Sequence, residues 1–258
     1  MSFKQFIPCR KCKATKNIPE GFYRDVETKN GIEYKIIKEC LHHVAWQLNE
    51  NAYKEFIKSG FNKDYFEINN TEDGGDYVGK KSIGNIFRLR NYIEFFNDSK
   101  VNSSILYFVG TNGTQKTTTA TWIANKLIKN NKSVKYILMK DLLEKLWQEN
   151  REEDIREYIV ELSKCDLLII DECFDKSKMH IWESGKQIGY LDNFIRNRIN
   201  INKGIIFISN KYPNQIKSEG FSESLQELIK RELLKRDSLF TFEDNYYDEI
   251  GAIPERLF

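Results

Sequence analysis

A glycine, a lysine and a threonine follow an apolar run at the spacing of a phosphate-binding loop. Gly110 fills the first position of the pattern G-x-x-x-x-G-K-[ST], and Lys116 and Thr117 fill the last two. In such a loop, backbone N–H groups converge on phosphate oxygens, the lysine reaches the β- and γ-phosphates, and the hydroxyl ligates Mg²⁺. The predicted phosphate site consists of Gly110, Thr111, Asn112, Gly113, Thr114, Gln115, Lys116, Thr117 and Thr118.

One position of this loop departs from the pattern. Gln115 stands where the pattern has a glycine immediately before the lysine. Because a side chain at this position can crowd the loop or restrict its backbone, nucleotide binding or turnover could be weaker. For this segment alone, the alternative is an ordinary strand–turn–helix with an exposed lysine.

Two acidic residues follow a second apolar run, 167–170. Asp171 and Glu172 would lie at the carboxyl edge of a sheet, where open α/β folds bind their ligands. Asp171 would hold Mg²⁺ through water, and Glu172 would polarise the water that attacks a phosphoanhydride. Acidic residues after a strand can also cap the next helix. The phosphate loop earlier in the chain favours the first interpretation, an ATPase site.

Asn210 and Arg231 are further candidates for the same chemistry. Asn210 ends a third apolar run, 205–209, and its amide could orient the lytic water or contact the γ-phosphate, although it could equally be a turn residue. Arg231 lies on a predicted helix and could reach a neighbouring subunit's γ-phosphate, with Arg236 as the alternate. A solvated helix face is the simpler explanation for these charges.

Four residues near the start of the chain have metal-ligand spacing. Cys9-x₂-Cys12 and Cys40-x₂-His43 flank a predicted hairpin with its turn at residues 29–31. Two such pairs at the base of a hairpin can close a tetrahedral structural Zn²⁺ site, and His42 could replace His43. Free thiols by coincidence are the alternative.

The elements that must position these residues follow from the hydrophobic pattern. From about residue 83, short apolar runs alternate with amphipathic helical segments, which is typical of a parallel sheet flanked by helices. The predicted strands are 105–109, 134–139, 167–170, 205–209 and 239–242. The predicted helices include 116–129, 141–162 and 185–201. We therefore predict a zinc-binding domain at 1–45, a helical linker at 46–82 and an α/β nucleotide-binding domain at 83–258.

Composition restricts the class of protein. The 258 residues carry a net charge of only +2, so bulk electrostatics do not indicate nucleic-acid binding. No segment has the roughly 20 consecutive apolar residues of a membrane span, and the first residues lack the apolar run of a secretion signal. Five cysteines, an odd number, fit a reducing compartment. We expect a cytoplasmic protein with no membrane partner.

The order of these motifs resembles that of the AAA+ ATPases of the DnaC/DnaI helicase loader and IstB-like group. The similarity covers about residues 56–250 and is carried by FVGTNGTQKTTTATWIANKL, CDLLIIDECFD, GIIFISNKYP and SGFNKDYF. It implies a P-loop AAA+ domain that lacks a C-terminal helical lid. It also implies that Asn210 is the sensor residue and that Arg231 is the arginine finger.

The resemblance implies an ATP-hydrolysing helicase loader in DNA replication. Its partners would be a replicative DNA helicase and single-stranded DNA, and it would form an ATP-dependent homo-oligomer. In some loaders a zinc-bearing N-terminal domain contacts the helicase, although basic residues beside these cysteines could instead contact a phosphate backbone. The alternatives are an IstB-like transposition helper, a nucleotide-gated scaffold with little turnover and, from a different class, a small-molecule P-loop kinase.

Overall fold

The computed structural model describes residues 5–15, 17–68, 83–96, 105–148, 152–179 and 185–242. The chain divides into two compact units, Met1–Lys58 and Ser59–Phe258. The first unit contains a hairpin of β1 (Phe22–Lys29) and β2 (Ile32–Glu39), followed by helix α1 (Leu41–Lys58). The predicted boundary at residue 45 differs from this division, because α1 begins directly after Cys40 and continues without a break through that position.

The hairpin of the first unit is antiparallel, with Phe22 opposite Glu39 and Lys29 opposite Ile32. Asn30 and Gly31 form the predicted two-residue turn, with φ angles of 53° and 78°. Both angles lie in the left-handed region, which the tight turn requires and which Asn-Gly adopts readily. The turn therefore brings the two ends of the hairpin, and the cysteines beside them, together at its base.

The second unit contains a five-stranded sheet in the order β4-β5-β6-β3-β7, with neighbouring strands parallel. The α/β class predicted from the sequence is confirmed. Its elements are α2 (Asp64–Ile68), α3 (Ile83–Glu94), β3 (Ile105–Gly110), α4 (Lys116–Lys129), β4 (Val134–Leu138), α5 (Met139–Gln148), α6 (Glu153–Lys164), β5 (Leu167–Cys173), α7 (Lys186–Asn200), β6 (Gly204–Ser209), α8 (Glu223–Arg236) and β7 (Leu239–Phe242).

Both faces of this sheet are covered by helices. Tyr107 and Phe207 on one face join a core with residues of α5, α6, α7 and α8. Leu106 and Phe108 on the other face are also buried, and α4 contacts β3, β4, β5 and β6. The strands are therefore apolar on both sides, as a parallel sheet between helices requires, and their carboxyl ends share one edge.

The helix predicted over 141–162 is instead two helices, α5 and α6. Glu152, directly before α6, has an extended backbone with φ −132° and ψ 126°. Because this conformation is not helical, α6 begins as a separate helix after Glu152. The predicted absence of a C-terminal lid concerns residues after Phe242, which lie outside the described part of the chain. No helix in the described ranges is long and apolar enough to span a membrane. Cytoplasmic localisation stays a prediction.

Candidate nucleotide-binding site

The predicted phosphate loop connects β3 to α4 at the carboxyl edge of the sheet. β3 ends at Gly110 and α4 begins at Lys116. A Cβ atom at Gly110 would collide with the backbone oxygen of Phe242 on β7, so glycine is required where these strands meet. The loop therefore lies against the neighbouring strand with its backbone close to the edge of the sheet.

The Lys116 side chain is buried and folded back over its own loop. Its Nζ donates to the backbone oxygens of Gly110 and Thr111 at 2.8 and 2.5 Å, and to Thr114 Oγ1 at 3.3 Å. Burial lowers the pKa of Lys116 to about 8, with a contribution from the nearby positive charge of Lys178, while Asp171 opposes the shift. A cation held by uncharged carbonyls in a buried site is suited to exchange them for phosphate oxygens.

Gln115 has a backbone conformation that glycine adopts more readily than other residues. Its φ is 65° and its ψ is 20°, in the left-handed region that costs a non-glycine residue roughly 1 kcal/mol. Its Oε1 is buried without a hydrogen-bond partner among the described residues. The backbone oxygen of Gln115 accepts from the Thr119 amide and hydroxyl, both at 2.9 Å. The loop is thus formed with glutamine at the cost of strain and an unsatisfied amide oxygen.

Asp171 is held by two hydroxyl groups. Its Oδ2 accepts from Thr117 Oγ1 at 2.8 Å and from Tyr136 Oη at 3.0 Å. Burial, together with the charge of Asp171, raises the pKa of Tyr136, so the phenol stays a donor. A threonine hydroxyl beside a carboxylate is a donor set that suits Mg²⁺, and these residues fit that ion. Tyr136 was missed from the sequence, because a tyrosine in an apolar strand indicates only packing.

Glu172 is turned into the site by an irregularity at the end of β5. The pairing with β6 shifts register between Ile170 and Cys173, and Glu172 has a φ of 54°. Its Oε1 lies 3.0 Å from Lys178 Nζ. A bulge of this kind re-aims a side chain, here at the cavity that the phosphate loop borders. Lys178 was also missed, because a lysine in a polar segment usually indicates a solvated surface.

Of the remaining predicted catalytic residues, Asn210 lies at the site and Arg231 lies away from it. Asn210 follows β6, and its Nδ2 donates to Asn112 Oδ1 at 2.8 Å, so it reaches the phosphate loop. Arg231 is exposed on α8, with its Nε 3.6 Å from Glu232 Oε1, and is not among the described residues that line the cavity. The side chain of Arg236 lies outside what the structure describes.

A cavity of about 440 Å³ joins these side chains at the carboxyl ends of β3, β5 and β6. It is bordered by most of the predicted phosphate loop, the acidic pair and Asn210, but Gly110 and Thr111 are not among its lining residues. Its lining residues are Tyr65, Asn112, Gly113, Thr114, Gln115, Lys116, Thr117, Thr118, Asp171, Glu172, Cys173, Asp175, Lys178, Ile208, Ser209 and Asn210.

The predicted metal site in the first unit contains three cysteines that lie together. The Sγ atoms of Cys9, Cys12 and Cys40 all lie within 4.8 Å of one another. Backbone hydrogen bonding by Lys11, with help from Cys12, lowers the pKa of Cys9 to about 6, which favours the thiolate form that binds metals. Three thiols this close together fit zinc, which accepts soft sulfur ligands in a tetrahedron.

The histidine beside these thiols is His42 and not His43, the ligand predicted from the spacing. His42 Nδ1 lies 3.6 Å from Cys40 Sγ. His43 Nδ1 lies 2.7 Å from Glu39 Oε1, and its ring is stacked on Trp46. Both histidines are in the first turn of α1, where successive side chains point about 100° apart, so only one of them can face the cysteines.

Comparisons with known proteins match the second unit. A family model described as IstB-like ATP binding protein matches residues 92–177, which include the phosphate loop and the acidic pair. Among solved structures, a DNA replication initiation factor has 18% identity and a TM-score of 0.54, covering 67% of this chain and 50% of its own. DnaA from Aquifex aeolicus, bound to AMPPCP, has 17% identity and a TM-score of 0.53, with coverages of 69% and 55%.

DnaI has 18% identity and a TM-score of 0.51, covering 69% of this chain and 92% of its own. The chain spans about half the length of the first two structures. No curated protein matches the sequence significantly. At these identities the structural likeness shows the fold alone.

The fold and the site together indicate an α/β domain with a phosphate-binding loop, similar over residues 92–177 to the family of IstB-like ATP binding proteins. Within that class, the resemblance to the DnaC/DnaI and IstB-like group that the motifs indicated is confirmed by the family match and by the shared fold. The predicted α/β architecture and the order of its motifs agree with this result.

Proposed function

We propose that this chain is an ATP-hydrolysing AAA+ protein that loads a replicative helicase onto single-stranded DNA. One observation carries the ATPase part: Lys116, the Thr117–Asp171 pair and Glu172 border a single cavity. The replication part is supported by the fold that the chain shares with a replication initiation factor, DnaA and DnaI.

The residues of the cavity would have separate roles in hydrolysis. Thr117 and Asp171 would hold Mg²⁺, directly or through water, and the bound ion would neutralise charge on the phosphate oxygens. Lys116 would exchange its loop carbonyls for phosphate oxygens. Glu172 would accept the proton of the attacking water, and Asn210 would position that water or the terminal phosphate.

Purified full-length protein would test the ATPase part directly. Hydrolysis is measured alone and with single-stranded or duplex DNA, for the wild type, Lys116→Ala and Glu172→Gln. We expect Lys116→Ala to lose ATP binding, and Glu172→Gln to bind ATP but lose at least 100-fold in turnover, the range for removing a general base. Lys126→Ala, a lysine on α4 that does not line the cavity, is the control. Equal turnover in all four proteins would refute the proposal.

ATP would also assemble the chain into a homo-oligomer in which Arg231 acts on a neighbouring subunit. Its exposure on α8 leaves the guanidinium available to another molecule. We expect Arg231→Ala to bind ATP but to lose most turnover in the assembled oligomer, whereas Lys230→Ala on the same helix keeps it. Normal turnover by assembled Arg231→Ala would exclude this role.

The first unit would hold a structural Zn²⁺ through Cys9, Cys12, Cys40 and His42 and would contact the helicase. Its hairpin exposes apolar residues, including Val26 and Ile37, which are 52% and 59% exposed. We expect the double substitution Val26→Ser and Ile37→Ser to reduce co-purification with helicase without changing ATP turnover. Unchanged co-purification would show that the exposed apolar residues of the hairpin do not form the helicase contact.

A transposition helper of the IstB type is the second candidate, because the matching family model is of that kind. The form of DNA distinguishes the two functions. A helicase loader is stimulated by single-stranded DNA and captures a helicase, whereas a helper assembles on duplex DNA. ATP binding without turnover under every condition would instead indicate a nucleotide-gated scaffold.

A further inference from the structure

Lys178 is a second cation at the nucleotide cavity, on a different element from Lys116. It ends a short 3-10 helix, Lys176–Lys178, that follows β5. Asp175 caps this helix, since its Oδ1 accepts from the Ser177 amide at 3.1 Å and from the Ser177 hydroxyl at 2.6 Å. The cap fixes the backbone that carries Lys178, so its ammonium is directed to one border of the cavity.

The partner of Lys178 is the proposed general base. Its Nζ lies 3.0 Å from Glu172 Oε1, and the two side chains are 32% and 40% exposed. An ion pair that water reaches this easily adds at most about 1 kcal/mol to stability. Its stabilising effect is therefore small, but its position matters, because the pair neutralises a carboxylate that must be free to accept a proton.

Both cations of the cavity are already engaged by oxygen acceptors in this structure. Among the described residues that line the cavity, Lys116 and Lys178 are the cations, and Asp171, Glu172 and Asp175 are the anions. Lys116 is held by carbonyls of the phosphate loop, whereas Lys178 is held by a carboxylate across the cavity. A terminal phosphate carries more negative charge than one carboxylate, so it can compete with Glu172 for the ammonium group of Lys178.

We propose that Lys178 binds the terminal phosphate of ATP and, in exchange, releases Glu172 to activate water. This inference rests on the proposed ATPase site and adds to it a residue that distinguishes ATP from ADP. ADP lacks the phosphate for which Lys178 would leave Glu172, so ADP leaves the pair closed. The exchange couples recognition of the substrate to the availability of the base.

The test measures the affinities of full-length protein for ADP and for a non-hydrolysable ATP analogue by calorimetry. We expect Lys178→Gln to lower the affinity for the analogue about tenfold, because one charge-assisted hydrogen bond is lost. The affinity for ADP should stay within about twofold of the wild-type value. Lys178→Arg should retain the preference for the analogue. Lys176→Gln, on the same 3-10 helix but away from the cavity lining, is the matched control and should change neither affinity.

A double-mutant cycle with Glu172→Gln tests the exchange itself. Removing the negative charge frees Lys178 in advance, so Glu172→Gln alone should bind the analogue several-fold more tightly, and this gain should vanish when Lys178→Gln is also present. Equal losses for ADP and the analogue, or tighter analogue binding by Lys178→Gln, would overturn the assignment and leave Lys178 as a simple restraint on Glu172. Failure of the wild type to bind either nucleotide would refute the ATPase proposal instead.

Discussion

The two units of the chain are stabilised in different ways. In the described residues of the first unit, the buried apolar side chains are Cys12, Ile18, Cys40, Ala52 and Phe56, and two of these are thiols of the cluster. The hairpin exposes Val26, Ile32, Tyr34 and Ile37. In the second unit, β3, β5 and β6 are buried along almost their whole length.

The comparison indicates which stabilising interactions each unit needs in order to fold. A two-stranded hairpin is at best marginally stable alone, and a unit of this size usually needs a metal or disulfides. The second unit, by contrast, has an extensive apolar core, and we expect it to fold without a metal ion.

Removing the proposed zinc ligands should unfold the first unit alone. Structural Zn²⁺ contributes about 10 kcal/mol to folding, more than a hairpin with this little buried surface can lose. We expect Cys12→Ser to abolish metal content and amide protection in β1 and β2, while ATP binding by the second unit persists. Metal analysis and hydrogen exchange measure both effects. Protection that survives without metal would show that the hairpin is stable by itself.

The neighbouring histidines provide a matched pair for the same experiment. His42→Gln should lower zinc affinity about 10- to 100-fold or more, since it removes a proposed ligand, whereas His43→Gln should retain the metal. The ring of His43 packs closely against Gly21, since a Cβ atom added to Gly21 would collide with that ring. His43→Gln should therefore affect packing rather than metal content. Loss of zinc in His43→Gln alone would restore the assignment preferred from the sequence.

The second unit also depends on one buried polar residue. Arg198 on α7 is fully buried and donates to the backbone oxygens of Leu162, Ser163, Cys165 and Gly204. Arg198→Met would remove these hydrogen bonds to carbonyls at the end of α6 and the start of β6, and we expect a loss of about 3 kcal/mol in the free energy of unfolding. Urea denaturation measures the loss.

Arg196 on the same helix is the control for this substitution. Its Nε donates to Asp192 Oδ1 at 2.6 Å, and its side chain is 37% exposed. We expect Arg196→Met to cost about 0.5 kcal/mol, as partly exposed ion pairs usually do. Similar losses of unfolding free energy for both variants would show that the buried hydrogen bonds of Arg198 stabilise the fold no more than an exposed ion pair does.

The features predicted from the sequence are those that depend on local patterns. The strands were found because β3, β5 and β6 are apolar runs, and the phosphate loop was found because its spacing is regular. Strand order, the bulge that turns Glu172 and the hydroxyl of Tyr136 on Asp171 depend on contacts between distant segments. The choice between His42 and His43 depends on where α1 begins, to within one residue. Spacing alone cannot decide these features.

The starts of three strands are joined by Asp166, which provides a pH-dependent prediction. Its carboxylate accepts from the Ser133 amide and hydroxyl before β4 and from Lys203 Nζ before β6. Burial alone would raise the pKa of Asp166, but the hydrogen bonds from Lys203 and Ser133 outweigh it and hold the pKa below its usual value. The carboxylate therefore stabilises the fold above about pH 4, and this contribution is lost as the pH falls.

Asp166→Asn should consequently reduce stability by about 1 kcal/mol at neutral pH, and the difference from the wild type should shrink in acid. Thermal unfolding from pH 7 to pH 3 measures the trend. Asp154→Asn, in the first turn of α6, is the exposed control and should show a smaller dependence. A difference that grows as the pH falls would contradict the direction of the pKa shift.

Gln115→Gly should have a small effect on stability and a separable effect on nucleotide binding. Glycine removes the left-handed strain and the unsatisfied Oε1, but it also increases the entropy of the unfolded chain, so we expect a net gain of about 1 kcal/mol or less. Asn131→Gly is the control, because Asn131 has a φ of 58° after α4 and is not a lining residue of the cavity. If Gln115 restrains the phosphate loop, only Gln115→Gly should tighten ATP binding. If both variants leave ATP affinity unchanged, the glutamine is a neutral substitute for glycine in this loop.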